Sequence, residues 1–458
     1  MAENKQIAEK VGEVLSEKSI SFVCNFEQQN FVEDMSSPDG FQWAEKQAGC
    51  HRAVLPSEFC DSLNKYSNCD GFMYDELEHC IINRNVSIYL ASKLKKDLPV
   101  FEVIKTSSLL EQGELLDKQL GSYVDQLKAA GAKTVSGEHV FPVLFHRFAK
   151  TGIIPNFKSQ KESMSNIQFA IAAGAALQYK TPLWNCVDLW CRMTFPGHSE
   201  RELYSNLEFA YYAGVNRVYV EALSGISNGE KLNSYGETFM SFLREYSGKE
   251  RNYDITSYKP QVGIIRYDDS FWGQGATPVM WRNMLLGNPA LKVKKENREW
   301  VHAFNVITHG ESGNGGLSYD RVSLWLIKKH RSFASMNSAV VFDDNSGYED
   351  LKTLKLCFLC GPYISEKTLS AVQRLVTENG LTVVTKKKYL PEPFVHKKSI
   401  NVFSQGSGKW ISVNSFKNPA LKTLIEPLLG EKGYITLNFA EKDLKFRIST
   451  DGETIKPV

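Results

Sequence analysis

The sequence predicts an α/β protein: a (β/α)₈ barrel, then a flavodoxin-like α/β domain, then a small antiparallel β domain. Three observations predict it. Eight short apolar runs alternate with helical segments between about residues 20 and 225. Almost every run delivers an ionisable residue at its end. After about residue 255 the pattern changes to strands and helices with short connections, and from about 393 to Gly-rich turns between short alternating strands. Alternating βα units imply parallel strands, and eight of them imply a closed barrel. The expected domains are 1–255, 256–392 and 393–458.

The chain opens with an amphipathic helix over residues 4–18, with Ile7, Val11, Val14 and Leu15 on one stripe. The eight barrel strands are expected at 20–26, 53–56, 71–74, 100–105, 133–137, 153–157, 182–187 and 217–220. A helix over 115–130 stops at Gly131, and an Ala-rich helix covers 167–177. Ser199 and Glu202 have capping-box spacing for a helix that ends before Gly214. In the second half, strands are expected at 261–266, 338–342, 355–359 and 381–385, with a helix over 365–377 ended by Gly380. The last domain reads as strands at 410–413, 434–439 and 444–448.

Composition excludes several classes. The 458 residues are 42% hydrophobic and 23% charged, with a net charge of +2. That is average for a globular protein and gives no reason to expect a nucleic-acid partner. No apolar run is long enough for a membrane helix. The N-terminus lacks the apolar core of a signal peptide, so the chain as written reads as cytoplasmic, or as periplasmic or secreted if a leader has been removed. The 9 Cys are odd in number, and Cys24, Cys186 and Cys357 sit inside apolar runs. They read as small core residues in a reducing compartment. Cys357 and Cys360 have CxxC spacing but lie in a strand, where residues three apart face opposite sides.

The barrel's chemistry belongs at the C-terminal ends of its strands. Strand one runs into Glu27, and strand three into Asp75, Glu76, Glu78 and His79. Strand five ends at Glu138 and His139, six at Lys158, seven at Asp188 and eight at Glu221. Glu58 and Glu78 read equally well as helix caps. Carboxylates in this number suit glycoside hydrolysis, which needs an acid and a second carboxylate on either side of the bond. Glu76 and Glu221 lie across the mouth from one another in an eight-strand ring. Glu76 is the expected general acid/base, tuned by Asp75, and Glu221 the nucleophile or second carboxylate. Asp188 and Glu138 are reserves or substrate contacts. Glu27, His79, His139, Lys158, Asn185, Trp190 and Trp272 are expected to contact substrate. Trp184 reads as core, and His146 as structural. No metal or other cofactor is expected, because neither an HxH pair nor an HExxH helix occurs. A non-catalytic carbohydrate-binding relative and a metal-dependent hydrolase remain as alternatives.

The order of barrel, flavodoxin-like domain and small β domain resembles the trimer-forming β-galactosidases of glycoside hydrolase family 42. The segment 348–385 carries the resemblance best: a strand reaching Cys360-Gly361-Pro362, then a helix, Gly380 and another strand. The resemblance implies a middle domain like a class I glutamine amidotransferase, a carbohydrate substrate and a homo-oligomer, dimer or trimer, formed through that domain. It implies an acid/base in an Asn-Glu pair, matched here by Asp75-Glu76, and a nucleophile matched by Glu221. The strand count puts these acids on strands three and eight, whereas the family has them on four and seven. Galactoside specificity does not carry over. The amidotransferase elbow Gly-x-Cys-x-Gly is absent around Cys360, and no His-x-Glu follows it. The middle domain therefore reads as a structural or assembly module. Its loop 268–275, with Arg266, Phe271 and Trp272 nearby, is expected to offer a binding surface.

Overall fold

The apolar runs of the first half fold as parallel strands. The computed structural model describes residues 2–26, 57–74, 104, 106–139, 144–159, 161, 163–189, 192, 196–221, 223–271, 284–313 and 330–458. They divide into two compact units. One comprises Met1–Val140, Arg147–Asn156 and Gly275–Val293, the other Phe141–His146, Phe157–Gln274 and Lys294–Val458.

In the first unit, β1 (Phe22–Phe26), β2 (Cys69–Tyr74) and β3 (Thr134–His139) pair in parallel in chain order, with Cys24 opposite Phe72 and Phe72 opposite Val135. Gly71 is required in β2: its φ is +141°, and a Cβ there would overlap the Thr134 carbonyl. Helix α1 (Ala2–Glu17) forms where the sequence predicts it, yet Ile7, Val11 and Val14 of its apolar stripe are exposed. The expected helix at 115–130 starts earlier. Ser108 caps α2 (Leu109–Ala129) by accepting from the Glu111 amide, and Gly131 ends it at φ +90°. Leu116, Leu120, Val124 and Leu127 lie along its buried stripe. Each such burial contributes about 1.5–3 kcal/mol.

Strand β4 (Ile154–Ser159) gives its first three residues to this unit and its last three to the second. The strands expected at 53–56 and 100–105 lie outside the described residues, except Ile104, which is in no strand.

In the second unit, β5 (Trp184–Val187) and β6 (Arg217–Val220) are parallel, with Cys186 opposite Tyr219. The Ala-rich segment forms α3 (Ser165–Tyr179), buried through most of its length. Helices α4 (Glu200–Tyr212) and α5 (Ser234–Tyr246) pack Leu203, Leu207, Phe242 and Tyr246 into one cluster with Val187 and Leu189. Trp184 is core as expected, with the Arg217 guanidinium 4.6 Å over its ring.

The second half contributes a doubly wound sheet. Its strands are β7 (Val262–Ile265), β8 (Ala339–Phe342), β9 (Leu356–Leu359), β10 (Thr382–Thr385), β11 (Ile400–Gln405) and β12 (Gly408–Val413), in the order β8-β7-β9-β10-β12-β11. All pairs are parallel except the edge strand β11. The order at its centre is the flavodoxin type. Residues 410–413 therefore differ from the expectation of a small antiparallel domain. They lie in β12, beside β10, because Trp410 and Ile411 are buried on the parallel sheet. The antiparallel sheet after them is β13 (Tyr434–Asn438), β14 (Asp443–Ile448) and β15 (Ile455–Pro457). No helix among the described residues is long and apolar enough to cross a membrane.

Gly174 lets α3 lie directly on β8. A Cβ at that position would overlap the Val341 carbonyl, a backbone atom that cannot swing away. Gly174→Ala is expected to lower stability by about 1–3 kcal/mol, measured as a fall in the midpoint of thermal or urea unfolding. An unchanged midpoint would show that α3 does not rest on β8 as described.

Candidate active site

The C-terminal ends of β4, β5 and β6 in the second unit bring three ionisable side chains together. Backbone pairing sets their depth. The Asp188 amide donates to the Ser159 carbonyl at 3.3 Å, and the Glu221 amide to the Val187 carbonyl at 3.1 Å. Lys158, next to last in β4, is 1% exposed. Its Nζ lies 2.7 Å from Glu221 Oε2 and 3.7 Å from Asp188 Oδ2. One ammonium thus lies between two carboxylates, with Glu221 partly open at 12% side-chain exposure.

Strand alternation explains which side chains join the cluster. Lys158 and Cys186 face the Glu221 side, where the Cys186 thiol lies 3.7 Å from the same Oε2. Phe157, Ser159 and Asn185 face the other way. Asn185 is fully buried, and its Nδ2 donates to the Phe157 carbonyl at 2.8 Å and Ser159 Oγ at 2.9 Å. The amide of Asn185 is thus used within the sheet. For a metal, this cluster offers a thiol and carboxylates, but the Lys158 ammonium already occupies the cation position at Oε2.

Glu138 is next to last in β3 of the first unit and is fully buried. His139 follows it as the last residue of that strand. Glu27, Asp75, Glu76, His79, Trp190 and Trp272 lie outside the described residues.

A second buried polar cluster was not foreseen from the sequence. The Ser199 hydroxyl caps α4 as expected, accepting from the Glu202 amide at 3.2 Å. The Glu202 side chain does not complete the capping box. It turns inward to Lys161 Nζ at 3.2 Å and His198 Nδ1 at 3.2 Å, and accepts a hydrogen bond from the Ser332 hydroxyl. Burial works against the charged form of Glu202, but His198 and Lys161 outweigh it and hold the carboxyl below the usual range. Lys161 also reaches Glu453 at 2.7 Å and the Gly197 carbonyl at 2.8 Å. In the sequence this cluster shows as the capping-box spacing of Ser199 and Glu202 and as Lys161, three residues past Lys158.

His146 is structural, as expected. Its Nε2 lies 2.8 Å from the Val341 carbonyl, and burial lowers its pKa. The 268–275 loop differs from expectation where it is described. Arg266 and Phe271 are buried rather than presented outward. Arg266 pairs with Asp269 at 2.7 Å and stacks 4.6 Å over Trp300. Cys357 and Cys360 are fully buried, and burial raises both thiols, so neither is an activated nucleophile.

The fold has solved counterparts among glycosidases. The polyextremophilic β-galactosidase of the Antarctic haloarchaeon Halorubrum lacusprofundi aligns with 96% of this chain and 91% of its own, at a TM-score of 0.53 and 8% identity. The β-galactosidase of Bacillus circulans sp. alkalophilus aligns with 90% of this chain and 76% of its own, at 0.49 and 10%. A GH42 β-galactosidase of G. stearothermophilus aligns with 91% and 76%, at 0.48 and 9%. No family model and no curated protein matches the sequence. The chain therefore shares a glycosidase fold, the architecture that its sequence resembles.

Removing Lys158 leaves two neighbouring acids without their cation. Breaking such a buried pair costs about 3–5 kcal/mol. Lys158→Met is expected to destabilise by that order, and Lys158→Met combined with Glu221→Gln by less than the sum of the single changes. Urea unfolding of the four proteins measures the coupling. Strict additivity would mean that the pair is absent in solution.

Proposed function

We propose that the chain is a glycoside hydrolase acting on an oligosaccharide, polysaccharide or simpler glycoside, with Glu221 as one of its two catalytic carboxylates. The observation that carries this reading is the Glu221 carboxylate at the end of β6, held 2.7 Å from a buried ammonium. A nucleophile or base must be ionised, and an adjacent cation favours the ionised form. The shared glycosidase fold supports the reaction class.

In a retaining mechanism Glu221 attacks the anomeric carbon as Glu76 gives its proton to the leaving oxygen. Glu76 then takes a proton from water, which attacks the same carbon and releases Glu221. Asp75 tunes Glu76. Asp188 shares Lys158 with Glu221 and sets how strongly the ammonium is drawn to either acid. Glu138 is the alternative acid. Glu27, His79, His139, Trp190 and Trp272 are the proposed substrate contacts, with the tryptophans stacking on sugar faces.

The test is a panel of chromogenic glycosides assayed with wild type and with Glu221→Gln, Glu76→Gln and Glu138→Gln, corrected for folded fraction. Glu221→Gln and one of the other two are expected to lose roughly a hundred- to ten-thousandfold in kcat. Wild-type rates in all three would overturn the assignment. Sugar binding by the wild type without any cleavage would favour a non-catalytic carbohydrate-binding protein.

A further inference from the structure

The doubly wound sheet carries a concentration of positive charge that the hydrolytic reading does not use. From Lys386 to Lys422 the chain has eight lysines, no arginine and one acid, Glu392. This segment carries +7 in a chain whose total is +2. The fold gathers most of it at one place. Lys386, Lys387 and Lys388 directly follow β10. Lys417 follows β12, which is parallel to β10. Lys397 and Lys398 precede β11, which is antiparallel to β12 with Ile400 opposite Val413. All six therefore lie at the carboxyl edge of the sheet, across two inter-strand spacings, or about 10 Å. This is the edge where sheets of this type bind ligands.

The loops bearing these lysines are fixed. The Lys397 and Lys398 amides both donate to Asn401 Oδ1, at 2.7 and 3.1 Å. His396 bridges Ser412 Oγ at 2.8 Å and Asn414 Oδ1 at 2.5 Å. The Asn414 amide donates to the Ser399 carbonyl at 3.1 Å. Lys387, Lys397, Lys398 and Lys417 are exposed, and none has a carboxylate within 4.0 Å among the described residues. The acids that follow β7 and β8 at the same edge, Asp268, Asp269, Asp343 and Asp344, are buried, and a further carboxylate there is held by one of the lysines. Glu299 places Oε1 2.6 Å from Lys386 Nζ and Oε2 3.1 Å from the Gly361 amide. Ammonium and amide there hold one carboxylate between them.

We propose that this edge binds an anionic polysaccharide, one whose sugars carry carboxylate or sulfate groups. The choice of a glycan rests on the glycosidase reading, and the charge complementarity rests on the lysines. A nucleic acid fits less well. The segment from Lys386 to Lys422 has no arginine, the residue that grips phosphate through two parallel hydrogen bonds, and its described aromatic rings next to the lysines are not free to stack on bases. Tyr389 and Trp410 are buried, and Phe394 is stacked on Phe403 at 4.8 Å. A membrane surface fits less well for the same lack of an interfacial aromatic anchor.

The experiment is affinity electrophoresis of the full chain in gels containing polygalacturonate, dextran sulfate or neutral dextran. The comparison is with Lys387→Ala/Lys397→Ala/Lys398→Ala/Lys417→Ala and with the control Lys231→Ala/Lys249→Ala. The wild type and the control are expected to be retarded by the two anionic glycans and not by dextran, with retardation lost at high salt. The four-lysine variant is expected to bind at least about tenfold more weakly with an unchanged melting temperature. Equal binding by that variant would overturn the proposal. So would tighter binding of the wild type to a single-stranded oligonucleotide or to phosphatidylserine vesicles than to polygalacturonate. Binding is read without turnover, so this proposal and the hydrolytic reading fail separately.

Discussion

One buried ammonium organises the candidate active site. Lys158 is buried at the end of its strand, and an unpaired charge there would be untenable. It is tolerated because two carboxylates from the next two strands come to meet it, at 2.7 and 3.7 Å. The dependence is mutual. Without the lysine, the two carboxylates would lie in a poorly solvated place with no cation to offset their repulsion. With it, one ammonium stands between the two acids.

That interaction is only as firm as the strands that carry it. The second unit fixes them from several directions. Helix α3 lies against β8 with room for a hydrogen and no more at Gly174. Just beyond β4, Lys161 ties the following loop to Glu202 of α4 and to Glu453 in the turn before β15. Residues nearly 300 positions apart in sequence therefore hold the loop three residues from Lys158. Glu202 contributes this stabilisation while it is ionised. Its lowered pKa means that the contribution is complete above the ordinary carboxylate range and is lost as pH falls through the folded-state value.

Much of this frame was legible in the sequence. Short apolar runs between helical patterns gave the parallel strands. Their ends gave Lys158, Asp188 and Glu221, because a charged residue stopping an apolar run marks the point where a strand leaves the core. The partnership between them was not legible. It depends on lateral register among strands about 30 residues apart, and no local pattern encodes that. Cys186 read as a small core residue, which it is, but strand alternation also turns its thiol toward Glu221. Glu202 read as half of a capping box because Ser199 stands three residues before it. Burial of its side chain and a lysine from another loop decided otherwise. Residues 410–413 were expected among antiparallel strands, since alternation identifies a strand but not its neighbour. The cluster around Glu76 was the densest signal in the sequence, and it lies outside the described residues.

In the proposed reaction Glu221, paired with Lys158, is the attacking carboxylate. The most direct measurement is trapping with a 2-deoxy-2-fluoro glycoside that carries an activated leaving group, followed by peptide mass spectrometry. One sugar equivalent is expected on the peptide containing Glu221, and no label in Glu221→Gln. A label on another acid, or cleavage of the reagent with inversion and no adduct, would contradict it.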